Sequence, residues 1–209
     1  DGARLLDRTL DCWLTRAAFV TIMRSQRRPA IVWMQAMRGH TWQGGTVPAS
    51  GTMMDNPDYL YRSVKLDGTR DYVITVRGDE PKGGLSFQVV GDHEGRTGLA
   101  MPKEGDGFAG LPVHDISDFQ PEADGSVRIT VGSGKASGRN HIAVPAKPLQ
   151  IMIRDYFNDW NQRRYAVGLF AAHGRDAQAG MSAQDISPDH PQAVPAYAPC
   201  WPNIHLRSP

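Results

Sequence analysis

Cysteine, net charge and long apolar runs are all scarce in this 209-residue chain. Two cysteines, Cys12 and Cys200, stand near opposite ends, in no CxxC or other metal-ligand spacing. They fit either a disulfide tying the tail to the first helix or two free thiols. Lys plus Arg number 23 against 22 Asp plus Glu, a net charge of +1. Such a balance supplies no field to hold nucleic acid or an anionic membrane. The basic cluster Arg24, Arg27 and Arg28 follows a helical pattern and reads as a helix C-terminus complementing its dipole. No apolar run approaches the roughly 20 residues of a membrane span, and no secretory core is visible. The chain starts at Asp1 rather than Met. A cytoplasmic protein is the first expectation, with export left open.

Motifs of familiar chemistry are missing as well. There is no GxSxG, and neither cysteine lies in an elbow-like context. Gly132-Ser133-Gly134 lacks the Lys and the strand–helix setting of a phosphate loop. The histidines show no HxH or HExxH spacing, so a metal site would have to gather His93, His114 and His141 from distant loops. No metal and no cofactor is expected.

Glycine and proline are plentiful: 22 and 15, together 37 of 209 residues, against an average near 12%. Without a collagen period, that excess means many turns and short strands. Hydrophobic residues make up 40%, and a chain of this mass buries about 70% of its unfolded surface, so a core needs no staples.

Residues 4–28 read as a helix within an N-terminal segment 1–29. Leu6, Leu10, Trp13, Ala17 and Val20 recur at alternating spacings of four and three, and Leu14 widens the stripe. Core packing is the expectation for Trp13 and Leu14, and Pro29 ends the helix. Residues 30–58 read as a lid or wrapping loop. They hold the short run Ile31–Met34, then Gly39, Gly44, Gly45, Pro48 and Gly51, and end in the turn Asp55-Asn56-Pro57-Asp58. Trp33, Met34, Met37, Trp42, Met53 and Met54 could line a pocket or a subunit interface.

From Tyr59 the period changes to two. Leu60, Val64 and Leu66 form one apolar row, and Asp67-Gly68 signals a hairpin turn. Tyr72, Ile74 and Val76 follow, then Leu85, Phe87 and Val89. Val127, Ile129 and Val131 come after Asp124-Gly125. Short strands over 141–144, from Leu149 toward Phe157, and from Tyr165 to Leu169 complete the set. Seven or eight short strands with turns between them predict a mainly β fold over 59–172. The expected form is an antiparallel β-sandwich, jelly-roll-like. Parallel βαβ layers are disfavoured, because no helix-length pattern separates the strands. Residues 173–209, with six prolines, read as an extended Pro-rich C-terminal arm.

Two stretches are distinctive: Asp55-Asn56-Pro57-Asp58-Tyr59-Leu60-Tyr61-Arg62 and Ile153-Arg154-Asp155-Tyr156-Phe157-Asn158-Asp159-Trp160. With Asp124-Gly125 and Asn140-His141 between them, they resemble the bacterial family catalogued as domain of unknown function 1214, over roughly residues 5–170. The resemblance implies a jelly-roll-like β-sandwich, often partnered by a second sandwich domain. It implies no settled activity.

Three constellations could carry chemistry. Arg62 shares its face with Leu60, Val64 and Leu66, and a guanidinium on an apolar row must be paired or face a cavity. Asp155 continues the Ile151–Ile153 row, so a buried Arg62–Asp155 pair is expected, with a clamp on a substrate carboxylate as the alternative. On the opposite row, Arg154, Tyr156 and Asn158 would make a polar floor with aromatic walls if that face is concave. Trp160, Asn56 and Tyr61 join it as candidate substrate-binding residues with Arg62 and Arg154. His141, Tyr156 and Asp159 are the candidate catalytic residues. His141 is the best single acid/base, against the plainer alternative of a hydrogen-bonded edge histidine. Asp155 and Asp159 could form a hydrolytic carboxylate pair.

Two functions compete. One is a small-molecule-binding β-sandwich, an enzyme of catabolic or secondary metabolism acting on a polar-aromatic or carbohydrate-like substrate. The other is a non-catalytic accessory subunit, homo-oligomeric or wrapped on a partner through helix 1 and the tail.

Overall fold

Period-two alternation is realised as two stacked sheets. The structure, a computed structural model, describes residues 2–25, 29–35, 40–42, 45–48, 56, 58–78, 84–91, 112–134, 138–159 and 162–172. Helix α1 spans Gly2–Ser25. Strands β1 (Val32–Gln35), β2 (His40–Trp42) and β3 (Gly45–Val47) follow it. Then come β4 (Tyr59–Asp67), β5 (Tyr72–Arg77), β6 (Gly84–Val90) and β7 (Val113–Asp115), with a 3-10 turn at Ile116–Asp118. The last strands are β8 (Val127–Gly132), β9 (His141–Ala143), β10 (Pro148–Tyr156) and β11 (Ala166–Ala171).

One sheet has the order β1-β4-β10-β6-β7 and the second β11-β5-β8-β9, with β2 and β3 forming a small separate ribbon. The chain crosses from the first sheet to the second between β4 and β5 and back between β5 and β6. It crosses again between β7 and β8, between β9 and β10, and between β10 and β11. This is the mainly β, jelly-roll-like sandwich that the alternation predicts.

The inward rows are the expected ones. Val64, Leu66, Phe87, Ile151 and Ile153 of the first sheet meet Ile74, Ile129, Val131 and Val167 of the second in one buried cluster. Strand β10 is the centre of the first sheet. It pairs Ile153 with Arg62 on β4 and with Phe87 on β6. Each such burial removes a large side chain from water, about 1.5–3 kcal/mol apiece.

Four expectations need correction. Helix α1 buries Cys12, Arg16, Phe19, Val20 and Met23, and Phe19, Val20 and Met23 pack on Val32 of β1. Trp13 and Leu14, expected in the core, are exposed at 43 and 68%, as are Leu6 and Leu10 of the same stripe at 58 and 50%. Their spacing marks an apolar stripe without saying what it faces. The segment 30–58 is also more than a loop: it supplies the edge strand β1 and the β2–β3 ribbon.

Asp67-Gly68 is not a hairpin turn, because β4 and β5 lie in different sheets. Asp67 Oδ1 instead accepts from the Thr69 N–H at 3.0 Å and pins a sheet-changing corner. A Cβ on Gly68 would overlap the carbonyls of Pro145 and Lys147. Finally, β8 and β9 run parallel, Thr130 opposite His141. The Thr130 N–H donates to Asn140 O, and the Val144 N–H to Gly132 O. The Pro-rich arm 173–209 and Cys200 lie outside the described residues, as do the side chains of Trp33, Met34, Met37, Trp42, Met53 and Met54.

Candidate functional site

The outward face of β10 carries Tyr156, which reaches a cleft at one end of the sandwich, and Arg154, which with Tyr59, Tyr61 and Asn56 does not line it. Cross-strand partners in a sheet point the same way. Tyr156 lies between Tyr59 and Gly84, and Arg154 between Tyr61 and Ser86. Ser86 in turn pairs with Asp115 of β7. One polar and aromatic row therefore crosses four strands. The ring centroids of Tyr59 stand 6.0 Å from Tyr61 and 5.7 Å from Tyr156. The Arg154 guanidinium lies 5.9 Å from the centre of the Tyr61 ring and donates to Gln88 Oε1 at 2.6 Å. Burial lowers the Arg154 pKa below its ordinary value, against the pull of Tyr61 and Tyr59. Asn56 joins from the start of β4: its N–H donates to Tyr61 Oη at 3.0 Å, and its Oδ1 accepts from the Asp58 N–H at 2.9 Å.

Glycine 84 makes the next step. A Cβ there would overlap the Tyr156 ring. With no side chain in the way, the Tyr156 ring lies over β6, and its hydroxyl donates to Asp115 Oδ2. Asp115 caps the 3-10 turn. Its Oδ1 accepts from the Ser117 N–H at 3.0 Å and the Ser117 Oγ–H at 2.7 Å, while its own N–H donates to Asp118 Oδ2 at 2.8 Å. Desolvation pushes the Asp115 carboxyl up, but the hydrogen bonds from Tyr156 and Ser117 outweigh it and hold the carboxyl below the usual range. Desolvation and the Asp115 charge raise the Tyr156 phenol well above its ordinary value, so it stays protonated at neutral pH.

Tyr156 and Asp115 stand at the rim of a cleft of about 460 Å³ at one end of the sandwich. Val76 and Val127 of the second sheet, Tyr165 just before β11, and Ile116, Phe119 and Pro121 line it. Ser117 and Asn158 add polar atoms to the lining. Phe119 is fixed from behind by an edge-on contact with Phe87, centroids 6.0 Å apart.

The remaining candidates fall elsewhere. Arg62 and Asp155 are 0 and 1% exposed and form the expected buried ion pair. Arg62 also donates to the Tyr165 carbonyl at 2.9 Å. A side chain so enclosed cannot clamp a substrate carboxylate, so that role for Arg62 is withdrawn. Desolvation raises the Asp155 carboxyl, with the charges of Arg62 and Arg164 pulling the other way. Asp159 sits exposed in the loop after β10 while Asp155 is enclosed, so the two cannot flank a substrate as a hydrolytic pair.

His141 lies on β9 with Nδ1 2.9 Å from Thr130 Oγ1 and does not line the cleft. His114 lies in the other sheet, its ring 5.8 Å from Phe119, and His93 falls outside the described residues. Among the described residues no three His, Cys, Asp or Glu side chains converge as a metal site. Trp160 lies outside the described residues. Sequence reading missed Asp115, Ser117 and Gly84. The capping pattern Asp115-Ile116-Ser117-Asp118 is the signal that could have found the first two.

No known family's sequence profile matches the chain, and no curated protein matches it. Among solved structures, an uncharacterised protein from Burkholderia cenocepacia superposes over 85% of this chain, with a TM-score of 0.61 at 18% identity. This chain spans 43% of that protein's length. The VPA0106 protein from Vibrio parahaemolyticus matches 53% of this chain and 30% of its own, with a TM-score of 0.35 at 18% identity. The Burkholderia likeness shows a shared two-sheet fold. No helix among the described residues is long and apolar enough to cross a membrane.

Proposed function

We propose that this chain is a small-molecule-binding β-sandwich, of the kind its two motifs resemble in domain of unknown function 1214. Its ligand is polar-aromatic or carbohydrate-like. The observation that carries the reading is the end cleft, where apolar walls converge on Tyr156, Asp115, Ser117 and Asn158. The second motif supports it by supplying Tyr156 and Asn158 to the lining, and the first lies on the neighbouring strand, with Tyr59 paired to Tyr156. Any catalytic step would use neither Tyr156 as a base nor Asp155 as an acid. The first keeps its proton and donates a hydrogen bond to Asp115, and the second is enclosed with Arg62.

The test is a nuclear magnetic resonance titration of small phenols, aryl amines and methyl glycosides, followed at the amides of Ser117, Gly125 and Asn158. Saturable shifts at those amides support the reading. Pro121→Trp, at an exposed lining position, should fill the cleft and abolish the shifts with little change in melting temperature. Shifts that persist in that variant would place binding elsewhere.

A second reading has one observation in its favour. Leu6, Leu10, Trp13 and Ala17 stand exposed at alternating spacings of four and three, the seam of a two-helix pair. A second copy of this chain is its natural occupant. Sedimentation should then show a dimer that Leu10→Glu with Leu14→Glu dissolves. A monomer at every concentration removes this reading.

A further inference from the structure

The protons at the cleft's polar corner all point the same way. The Tyr156 hydroxyl, the Ser117 hydroxyl and the Ser117 N–H each donate to the Asp115 carboxylate. Oδ1 takes two of these bonds and Oδ2 takes one, which leaves an acceptor position on Oδ2. The two hydroxyl oxygens likewise have spent their protons and present lone pairs. A ligand meeting this corner therefore meets acceptors and must bring donors.

Charge on the wall agrees with that polarity. The stretch from Val113 to Ser126 carries Asp115, Asp118, Glu122 and Asp124 and no Lys or Arg. It contributes Ile116, Phe119, Pro121 and Gly125 to the cleft as well as Asp115 and Ser117. Among the described residues, Arg77 and Arg139 reach it from other elements. Arg77 lies 3.3 Å from Asp124, both exposed, and Arg139 donates to Gln120. Its four acids outnumber these two arginines. Three aromatic side chains, Phe119, Tyr156 and Tyr165, line the same space, and their ring faces attract cations as well as apolar skeletons.

From these features we infer that the cleft takes an organic cation: a primary ammonium or similar donor carried on an aromatic or apolar skeleton. The ammonium occupies the open position on Asp115 Oδ2, and the skeleton lies among Phe119, Tyr165 and Val127. A carboxylate ligand would bring acceptors to acceptors and negative charge to negative charge. This inference rests on the cleft being the ligand site and adds its selectivity.

Three probes of one shape separate the ideas: phenethylammonium, 2-phenylethanol and 3-phenylpropionate. Each is titrated into the isotope-labelled full chain at low salt, with the amides of Ser117, Gly125 and Asn158 followed. The ammonium should bind at least tenfold more tightly than the alcohol, and the carboxylate should not saturate. Asp115→Asn should bring the ammonium down to the alcohol's affinity. Glu122→Lys leaves every hydrogen bond to Asp115 in place and should weaken the ammonium several-fold while leaving the alcohol unchanged, which keeps the test valid if Asp115→Asn does not fold. Equal affinity for all three probes at these amides overturns the cation inference and leaves the cleft standing as a site. Tighter binding of the carboxylate overturns it likewise. Failure of all three to shift these amides overturns both.

Discussion

Enclosing a guanidinium inside a sandwich has a measurable consequence. Arg62 is fully buried on the β4 row, and Asp155 neutralises it across the sheet. Asp155→Leu takes away that carboxylate and strands a charge in the core, which costs about 3–5 kcal/mol. At about 2–4 °C per kcal/mol for a chain of this size, the melting temperature should fall by roughly 6–20 °C. Arg62→Met should cost a similar amount by stranding Asp155. The double replacement Arg62→Met with Asp155→Leu removes both charges and leaves a packed apolar layer beside Ile153 and Leu85. The Tyr165 carbonyl then loses its donor, about 1–3 kcal/mol. Removing both desolvated ions returns an amount of similar size. The double variant should therefore lie within about 2 kcal/mol of the parent, far above either single variant. Urea unfolding of the four proteins reads this directly. Single variants that cost less than about 1 kcal/mol, or effects that simply add, would refute a buried and mutually dependent pair.

Other consequences can be checked separately. Gly84→Ala places a methyl group where the Tyr156 ring lies, so it should displace that ring from Asp115, cost about 1–3 kcal/mol and remove ligand shifts at Ser117. Phe87→Ala should cost about 3–5 kcal/mol by urea unfolding, since Phe87 is fully buried and braces Phe119. Acid should unfold the parent more steeply than Asp115→Asn. The Asp115 pKa is depressed in the folded chain, so its contribution is present above the unfolded value near 3.9 and disappears as pH falls through the folded value. Equal slopes below about pH 4, measured by circular dichroism, would contradict that assignment.

The sandwich was legible because its rows repeat. Val64 with Leu66, Ile74 with Val76 and Ile151 with Ile153 each mark an inside face over several residues, and side-chain period two leaves one register that buries them. The same periodicity puts Arg62 and Asp155 on inward rows of adjacent strands, which is why their pairing is legible in the sequence. Where an element is too short to repeat, the signal vanished. Strand β7 has three residues, so Asp115 carried no periodic mark. The helix stripe from Leu6 to Leu14 was visible, but a helix of this kind buries one face and can expose another equally apolar one. Asp67-Gly68 does not encode which sheet β5 joins, nor residues 133–140 the direction in which β9 runs. The cleft draws side chains from β5, β8, β10 and the 3-10 turn, and such convergence is a property of packing rather than of any local run.

The most direct measurement is a crystallographic soak with a set of small aryl amines, phenols and glycosides. Density should collect between Tyr156, Asp115 and Phe119, with amine nitrogens within hydrogen-bond reach of Asp115 Oδ2. Density that instead gathers on the Tyr59–Tyr61–Arg154 face, leaving the end cleft empty, would contradict the account.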